Sequence, residues 1–256
     1  VKPRWVGVGG EGIPVIFSHG LFMDRTMFGP QLERLAGRRR CITWDERAHG
    51  ETQSHGEFTY WDSAADLLAL MDALEIEQAV HFGMSQGGLL GMRAALLAPE
   101  RFLGIVMQSS QAGALDEGGA DAFKAIIAEW VEQGPAEDKL QFLVDLILGP
   151  GIDPVYWREY WSGLTAEQIT DAVSALYSID DVHDRLPDVA VPVLVIHGKA
   201  DVSTPWTLAE RVANEVPDCR GFTLVDDAPH AVNLSHPDVV NAATEAFLDD
   251  VSPVGR

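Results

Sequence analysis

The chain is poor in cysteine, in basic residues and in long apolar runs, and each shortage removes a class of function. Only two cysteines, Cys41 and Cys219, occur among 256 residues. They lie far apart, one inside an apolar strand-like run and one just before another. No thiolate metal site is implied, and free thiols in a reducing compartment are expected. Against 39 Asp and Glu stand 18 Lys and Arg, a formal net charge of −21. Arg38-Arg39-Arg40 is an isolated cluster rather than a basic stripe, so nucleic acid is not an expected partner. No apolar run approaches the roughly 18 residues needed to span a bilayer, which argues against a membrane protein. Residues 1–12 lack the apolar centre of a signal peptide, and a cytoplasmic location is expected. Walker and dinucleotide glycine motifs are missing, since Gly7-x-Gly9-Gly10 comes early and no helical pattern follows it. No histidine and carboxylate cluster has ligand spacing, so neither a metal nor an organic cofactor is expected.

What is present is an ordinary globular composition, 46% apolar and 22% charged, in a length that suits one α/β domain with or without an insertion. Short runs rich in Val, Ile, Leu and Phe read as strands at 14–18, 40–45, 79–83, 103–108, 192–197 and 221–226. Helical patterns fill most gaps, at 27–36, 60–74, 87–98, 205–216 and 237–251. That alternation predicts an α/β fold with a mostly parallel central sheet flanked by helices. Ser203 and Thr204 before Pro205, and Ser235 before Pro237, read as helix starts. From 112 to 186 no strand-like run occurs. Four helical segments are separated there by Gly134-Pro135, 149–154 and 163–165. The expected organisation is a core of 1–111 and 187–256 carrying a helical cap, 112–186, over the carboxyl edge of the sheet, where open α/β folds bind ligands.

The strand at 79–83 runs into Gly83-Met84-Ser85-Gln86-Gly87 and then a helix. A serine at a sharp strand-to-helix turn is forced toward positive φ, and the residues two positions to either side must be nearly free of side chain. Ser85 is therefore a candidate nucleophile, which needs a base and a group to orient that base. Of the eight histidines, His19, His49 and His197 each precede glycine and His81 sits inside a strand, so all four read as structural. His55 and His183 lie in polar stretches, and His236 opens a helix. His230 follows the last strand and the turn Asp226-Asp227-Ala228-Pro229. It stands at the same sheet edge as Ser85, where a general base belongs. Asp201 lies beyond the end of the strand at 192–197 on that edge.

These residues, in the chain order Ser85, Asp201, His230, resemble the α/β-hydrolase superfamily. So do Ser18-His19-Gly20-Leu21, Asp45-Glu46-Arg47-Ala48-His49-Gly50 and the segment 197–201; the likeness spans nearly the whole chain. It implies a serine hydrolase in which Ser85 attacks an acyl carbonyl, His230 carries the proton and Asp201 holds the imidazole. The oxyanion hole would be the backbone N–H of Gln86 with that of Leu21, Phe22 being a close second. The chain departs from its relatives at Ala48, where glycine is usual. It also has no carboxylate in Ser109-Ser110-Gln111, where some relatives place their acid. Only residues 5–8 offer an amino-terminal strand. A serine at the elbow argues against the dehalogenase and epoxide-hydrolase branches, which use Asp.

The cap carries Trp130, Tyr156, Trp157, Tyr160 and Trp161, with Trp157, Tyr160 and Trp161 on one helical face. That stripe either packs the cap on its base or lines an apolar pocket. Phe22, Met84, Trp157 and Trp161 are the expected pocket residues. The expected partner is a small-molecule substrate, an uncharged and partly hydrophobic ester or lactone; oligomeric state is not encoded. One rival is a carbon-carbon hydrolase of diketo acids, which needs a basic side chain in the pocket, for which Arg93, Arg158 and Lys199 are available. Another is a ligand sensor that keeps the triad and signals to a protein partner.

Overall fold

A computed structural model describes residues 3–10, 12–53, 56–115 and 117–252. Its centre is a seven-stranded sheet in the order β1-β3-β2-β4-β5-β6-β7. The strands are β1 (Arg4–Val8), β2 (Pro14–Ser18), β3 (Arg40–Asp45), β4 (Ala79–Met84), β5 (Phe102–Gln108), β6 (Val193–Gly198) and β7 (Cys219–Val225). β1 runs antiparallel to β3 and the other pairings are parallel. Every residue of β4 and β6 is buried, because helices cover both faces of a parallel sheet. Strands of this kind read as continuous apolar runs, which is why they were legible.

The helices are α1 (Gly29–Leu35), α2 (Tyr60–Ala73), α3 (Gln86–Leu97), α4 (Glu117–Gln133), α5 (Glu137–Leu143), α6 (Val155–Ser162), α7 (Ala166–Tyr177), α8 (Trp206–Glu215), α9 (Val232–Ser235) and α10 (Pro237–Val251). The pattern at 27–36 resolves into a 3-10 turn, Arg25–Phe28, followed by α1. α2 begins with a capping box. Thr59 accepts from the Asp62 N–H, and Asp62 accepts from the Thr59 N–H at 2.9 Å. α8 starts differently from expectation: Pro205 is its N-cap, with no side-chain cap. The N–H groups of Ser203 and Thr204 are drawn instead to Asp201.

Between β5 and β6 the described residues hold no strand, and α4 to α7 fill the interval with a π-helical turn, Val144–Leu148, after α5. Leu140, Leu143, Ile147, Trp157 and Trp161 join the apolar cluster that also contains Val15, Phe17 and Phe82 of the sheet. One hydrophobic core therefore continues from the sheet into these helices. Cys41 and Cys219 are free thiols, and burial pushes Cys41 up to about 12, leaving it unreactive at neutral pH. Among the described residues, no helix is long and apolar enough to cross a membrane.

Candidate active site

β4 turns into α3 at Ser85, whose φ of 52° and ψ of −114° place a non-glycine residue in a strained region. Such a conformation costs roughly 1–3 kcal/mol and persists only where the surroundings hold it. They do so here through the Ser85 N–H, which donates to the Gln108 carbonyl at 2.8 Å on β5. The flanking glycines are obligatory. A Cβ at Gly83 would run into the Gly87 carbonyl, and one at Gly87 into the Ser18 carbonyl. The tight turn leaves Ser85 half-buried on the wall of a cavity.

His230 lines the same cavity from the loop after β7 and is 4% exposed. Its Nδ1–H donates to Asp201 Oδ2 at 2.7 Å, so Nε2 is the nitrogen left to exchange a proton. Asp201 Oδ1 accepts from the N–H groups of Ser203 and Thr204 at 2.8 and 2.9 Å. His197 Nε2 lies 3.0 Å from Asp201 Oδ2 and 2.9 Å from the Thr204 carbonyl. Burial pushes the Asp201 carboxyl up. The imidazoles of His230 and His197 and the Thr204 N–H outweigh burial and hold it well below the usual carboxylate range. Asp201 is thus a fixed anion whose Oδ2 faces the imidazoles of both His230 and His197.

Of the proposed oxyanion donors, Gln86 N–H stands at the first position of α3, where helix geometry supplies no partner. Its side-chain Nε2 donates to Glu46 Oε2 at 3.0 Å. Leu21 N–H donates to no protein acceptor among the described residues. Phe22 N–H is a correction: it donates to His49 Nε2 at 3.1 Å and is withdrawn from the cavity. Only Leu21 remains on that loop.

The remaining histidines are held by local bonds. His19 Nδ1–H donates to the Gly20 carbonyl at 2.9 Å while Nε2 accepts from Glu46 N–H at 3.0 Å, and burial pushes it down to about 4. His81 bonds Ser18 Oγ at 2.8 Å, and burial pushes it down to about 3. His183 pairs with Glu215 and His236 with Ser235. His55 lies outside the described residues.

The cavity measures about 360 Å³. Phe22, Met84, Ser85 and His230 form its base, and Phe123, Ile126, Phe142, Leu146 and Leu176 roof it from the helical segment. Trp157 and Trp161 are not among its lining residues, contrary to expectation. Trp157 packs edge-on against Tyr156 and Tyr160, and Trp161 is fully buried with its indole N–H on the Phe22 carbonyl. The aromatic stripe faces the base of the molecule rather than the cavity. Two buried groups near Ser85 carry no signal in the sequence. Burial, with the Asp66 charge, pushes Glu46 well above the usual carboxylate range, and the Tyr60 hydroxyl on the cavity wall has no hydrogen-bond partner among the described residues.

A family model described as the alpha/beta hydrolase fold matches residues 13–237. The chain belongs to the α/β-hydrolase family. A 3-oxoadipate enol-lactonase of Acinetobacter baylyi is 29% identical over 251 residues, spanning 95% of this α/β-hydrolase and 91% of that protein. A putative carbamate hydrolase of Agrobacterium fabrum is 28% identical over 254 residues, 93% of this chain and 94% of that one. A thermophilic esterase from Thermogutta terrifontis shares the fold with a TM-score of 0.88 at 24% identity, covering 98% of this chain and 94% of that one.

Proposed function

We propose that this α/β-hydrolase cleaves a small, uncharged, partly hydrophobic carboxylic ester or lactone through an acyl-enzyme on Ser85. The observation that carries the reading is Ser85, held at positive φ, sharing one cavity with an imidazole whose other nitrogen is tied to a buried carboxylate. In this mechanism His230 Nε2 takes the Ser85 proton as Oγ attacks the acyl carbonyl, and gives it to the leaving oxygen. Asp201 keeps Nδ1 protonated and stabilises the imidazolium. The N–H groups of Leu21 and Gln86 receive the oxyanion of the tetrahedral intermediate. Water then attacks the acyl carbon by the same route, with His230 again as base, and releases Ser85 and the acid.

The cavity argues for the substrate class. Its volume, about 360 Å³, sits near the small end of ligand pockets, and its lining is largely aliphatic and aromatic. Among the described residues, no Arg, Lys, Asp or Glu lines it. The basic residues available to meet a substrate carboxylate are committed elsewhere. Arg93 binds Asp180 and the Leu89 carbonyl, Arg158 pairs with Glu137, and Lys199 with Asp226. This weighs against a carbon-carbon hydrolase of diketo acids. It also weighs against an adipate-derived lactone, which keeps a free carboxylate, despite the similarity to an enol-lactonase. Relatives named as lactonase and esterase support the ester or lactone class itself.

The test is hydrolysis of short-chain aryl esters and neutral lactones by the wild-type chain and by Ser85→Ala. Loss of turnover in the variant supports the assignment, and comparable activity would sink it.

A further inference from the structure

Tyr60 borders the cavity from the start of α2. The capping box of Thr59 and Asp62 pins its backbone, and Phe58 N–H, two residues earlier, donates to Ser174 Oγ of α7 at 3.1 Å. The side chain is 2% exposed, and its hydroxyl bonds nothing among the described residues. A buried hydroxyl without a partner is destabilising, and phenylalanine would fill the same space without that penalty. Burial, reinforced by the Glu46 charge, pushes the phenol above its ordinary value. It keeps its proton and stands as a donor.

The polar side chains around it are engaged elsewhere. Gln86 Nε2 donates to Glu46 Oε2 at 3.0 Å, Ser110 Oγ to the Ser85 carbonyl at 2.7 Å, and Gln111 Oε1 accepts from Gly113 N–H at 3.0 Å. The Glu46 charge reaches the phenol, yet the two groups do not bond. Ser109 Oγ is also unpaired, but a serine hydroxyl changes direction by turning about χ1. A phenol oxygen lies on the ring axis and moves only with the packed ring. What the Tyr60 hydroxyl lacks must therefore come to it.

Strand order says which part of a substrate that is. Ser85 follows β4; α2 follows β3 on one side of it in the sheet, and His230 follows β7 on the other. Tyr60 and His230 thus border the cavity from opposite sides of the nucleophile. The leaving oxygen takes its proton from His230 and is committed to that side, which leaves the acyl part for Tyr60. The acceptor is neutral, because the described lining holds no cation to accompany a carboxylate.

We propose that Tyr60 is a specificity-determining residue whose hydroxyl donates to a neutral ether or ketone oxygen in the acyl chain of the substrate. The inference rests on the acyl-enzyme reading above and deepens it. It names the substrate class as esters or lactones of alkoxy or oxo acids, held by one polar contact in an otherwise apolar pocket.

The experiment compares wild type and Tyr60→Phe on p-nitrophenyl pentanoate and on three esters of matching chain length, the ethoxyacetate, 3-methoxypropanoate and 4-oxopentanoate. Each ester's own reactivity cancels between the two enzymes. For at least one oxygen-bearing ester, kcat/KM relative to the pentanoate is expected to fall about 5-fold or more in the variant, the worth of one neutral hydrogen bond. Thermal unfolding without ligand is expected at or above the wild-type Tm, because no bond is lost. Relative kcat/KM within about two-fold for all three esters would overturn the proposal, whether activity is unchanged or falls equally on every ester, as for a donor to the oxyanion. A Tm lower by several degrees would overturn it too, since it marks a hydroxyl bonded within the protein. Ester hydrolysis that survives Ser85→Ala overturns the acyl-enzyme reading beneath it, a different and separately visible result.

Discussion

Replacing Asp201 by Asn changes one atom of the site and reverses what His230 is told. In the wild type Oδ1 is fixed by two backbone donors, Ser203 and Thr204 N–H, so Oδ2 is the oxygen that faces His230 Nδ1 at 2.7 Å. In Asp201→Asn those two donors still demand an oxygen at the Oδ1 position, which forces the amide nitrogen to face the imidazole. An N–H then points at Nδ1, and the imidazole meets it with a lone pair and carries its proton on Nε2. That tautomer cannot accept the Ser85 proton. The analogous change in other Ser-His-Asp enzymes lowers kcat by about 10⁴, so a loss of about 10³–10⁴ is expected here, roughly 4–5.5 kcal/mol of barrier. KM should stay within about 3-fold, because Asp201 is not among the residues lining the cavity. The assay is steady-state hydrolysis of a p-nitrophenyl butyrate series across pH, alongside thermal unfolding. A folded variant that retains more than about a tenth of wild-type kcat would refute the reasoning that Asp201 sets the tautomer.

Other expectations follow from the same structure. Because Asp201 is held below the usual carboxylate range in the fold, its contribution to stability is complete above about pH 4 and is lost as pH falls through and below that value. The Tm difference between wild type and Asp201→Asn should shrink on acidification from pH 6 to pH 3, and a constant difference would contradict the assignment. Gly87→Ala places a Cβ against the Ser18 carbonyl, so it should lower stability by about 2–3 kcal/mol or more by urea unfolding and reduce activity with it. An aryl ester with a terminal carboxylate should show at least about 10-fold lower kcat/KM than its methyl-capped counterpart, since the described lining of the cavity offers no cation to an incoming charge. Leu146→Trp should shorten the longest acyl chain accepted, whereas Trp157→Phe, outside the lining, should leave the chain-length profile unchanged; the same ester series reads both.

The sheet was legible because β2 to β6 are buried on nearly every residue and so are rich in apolar side chains. β1, largely exposed at the edge, gave only a weak trace. The site was legible through what its backbone requires. Two glycines around Ser85 answer to two specific collisions, and the order of Ser85, Asp201 and His230 follows the order of β4, β6 and β7. The aromatic stripe of α6 shows where such reading ends. Helical spacing put Trp157, Tyr160 and Trp161 on one face correctly. It said nothing of which surface that face meets, and the indole and phenol ends went to the backbone of residues 22, 23 and 50. Phe22 is the same lesson at one residue: its proximity to Leu21 suggested an oxyanion donor, but a histidine 27 positions later takes the N–H. Ser203 and Thr204 looked like helix caps, but their amides are taken by Asp201 two and three residues back, a local Asx-type turn that competes with capping.

The central claim is that Ser85 Oγ forms the covalent intermediate. An alkyl fluorophosphonate traps such a serine as a stable adduct, and intact mass with peptide mapping reads the site. A single adduct on the peptide holding Ser85, abolished in Ser85→Ala and slowed by several orders of magnitude in His230→Ala, is the predicted result. Labelling at another residue, or equal labelling of Ser85→Ala, would contradict it.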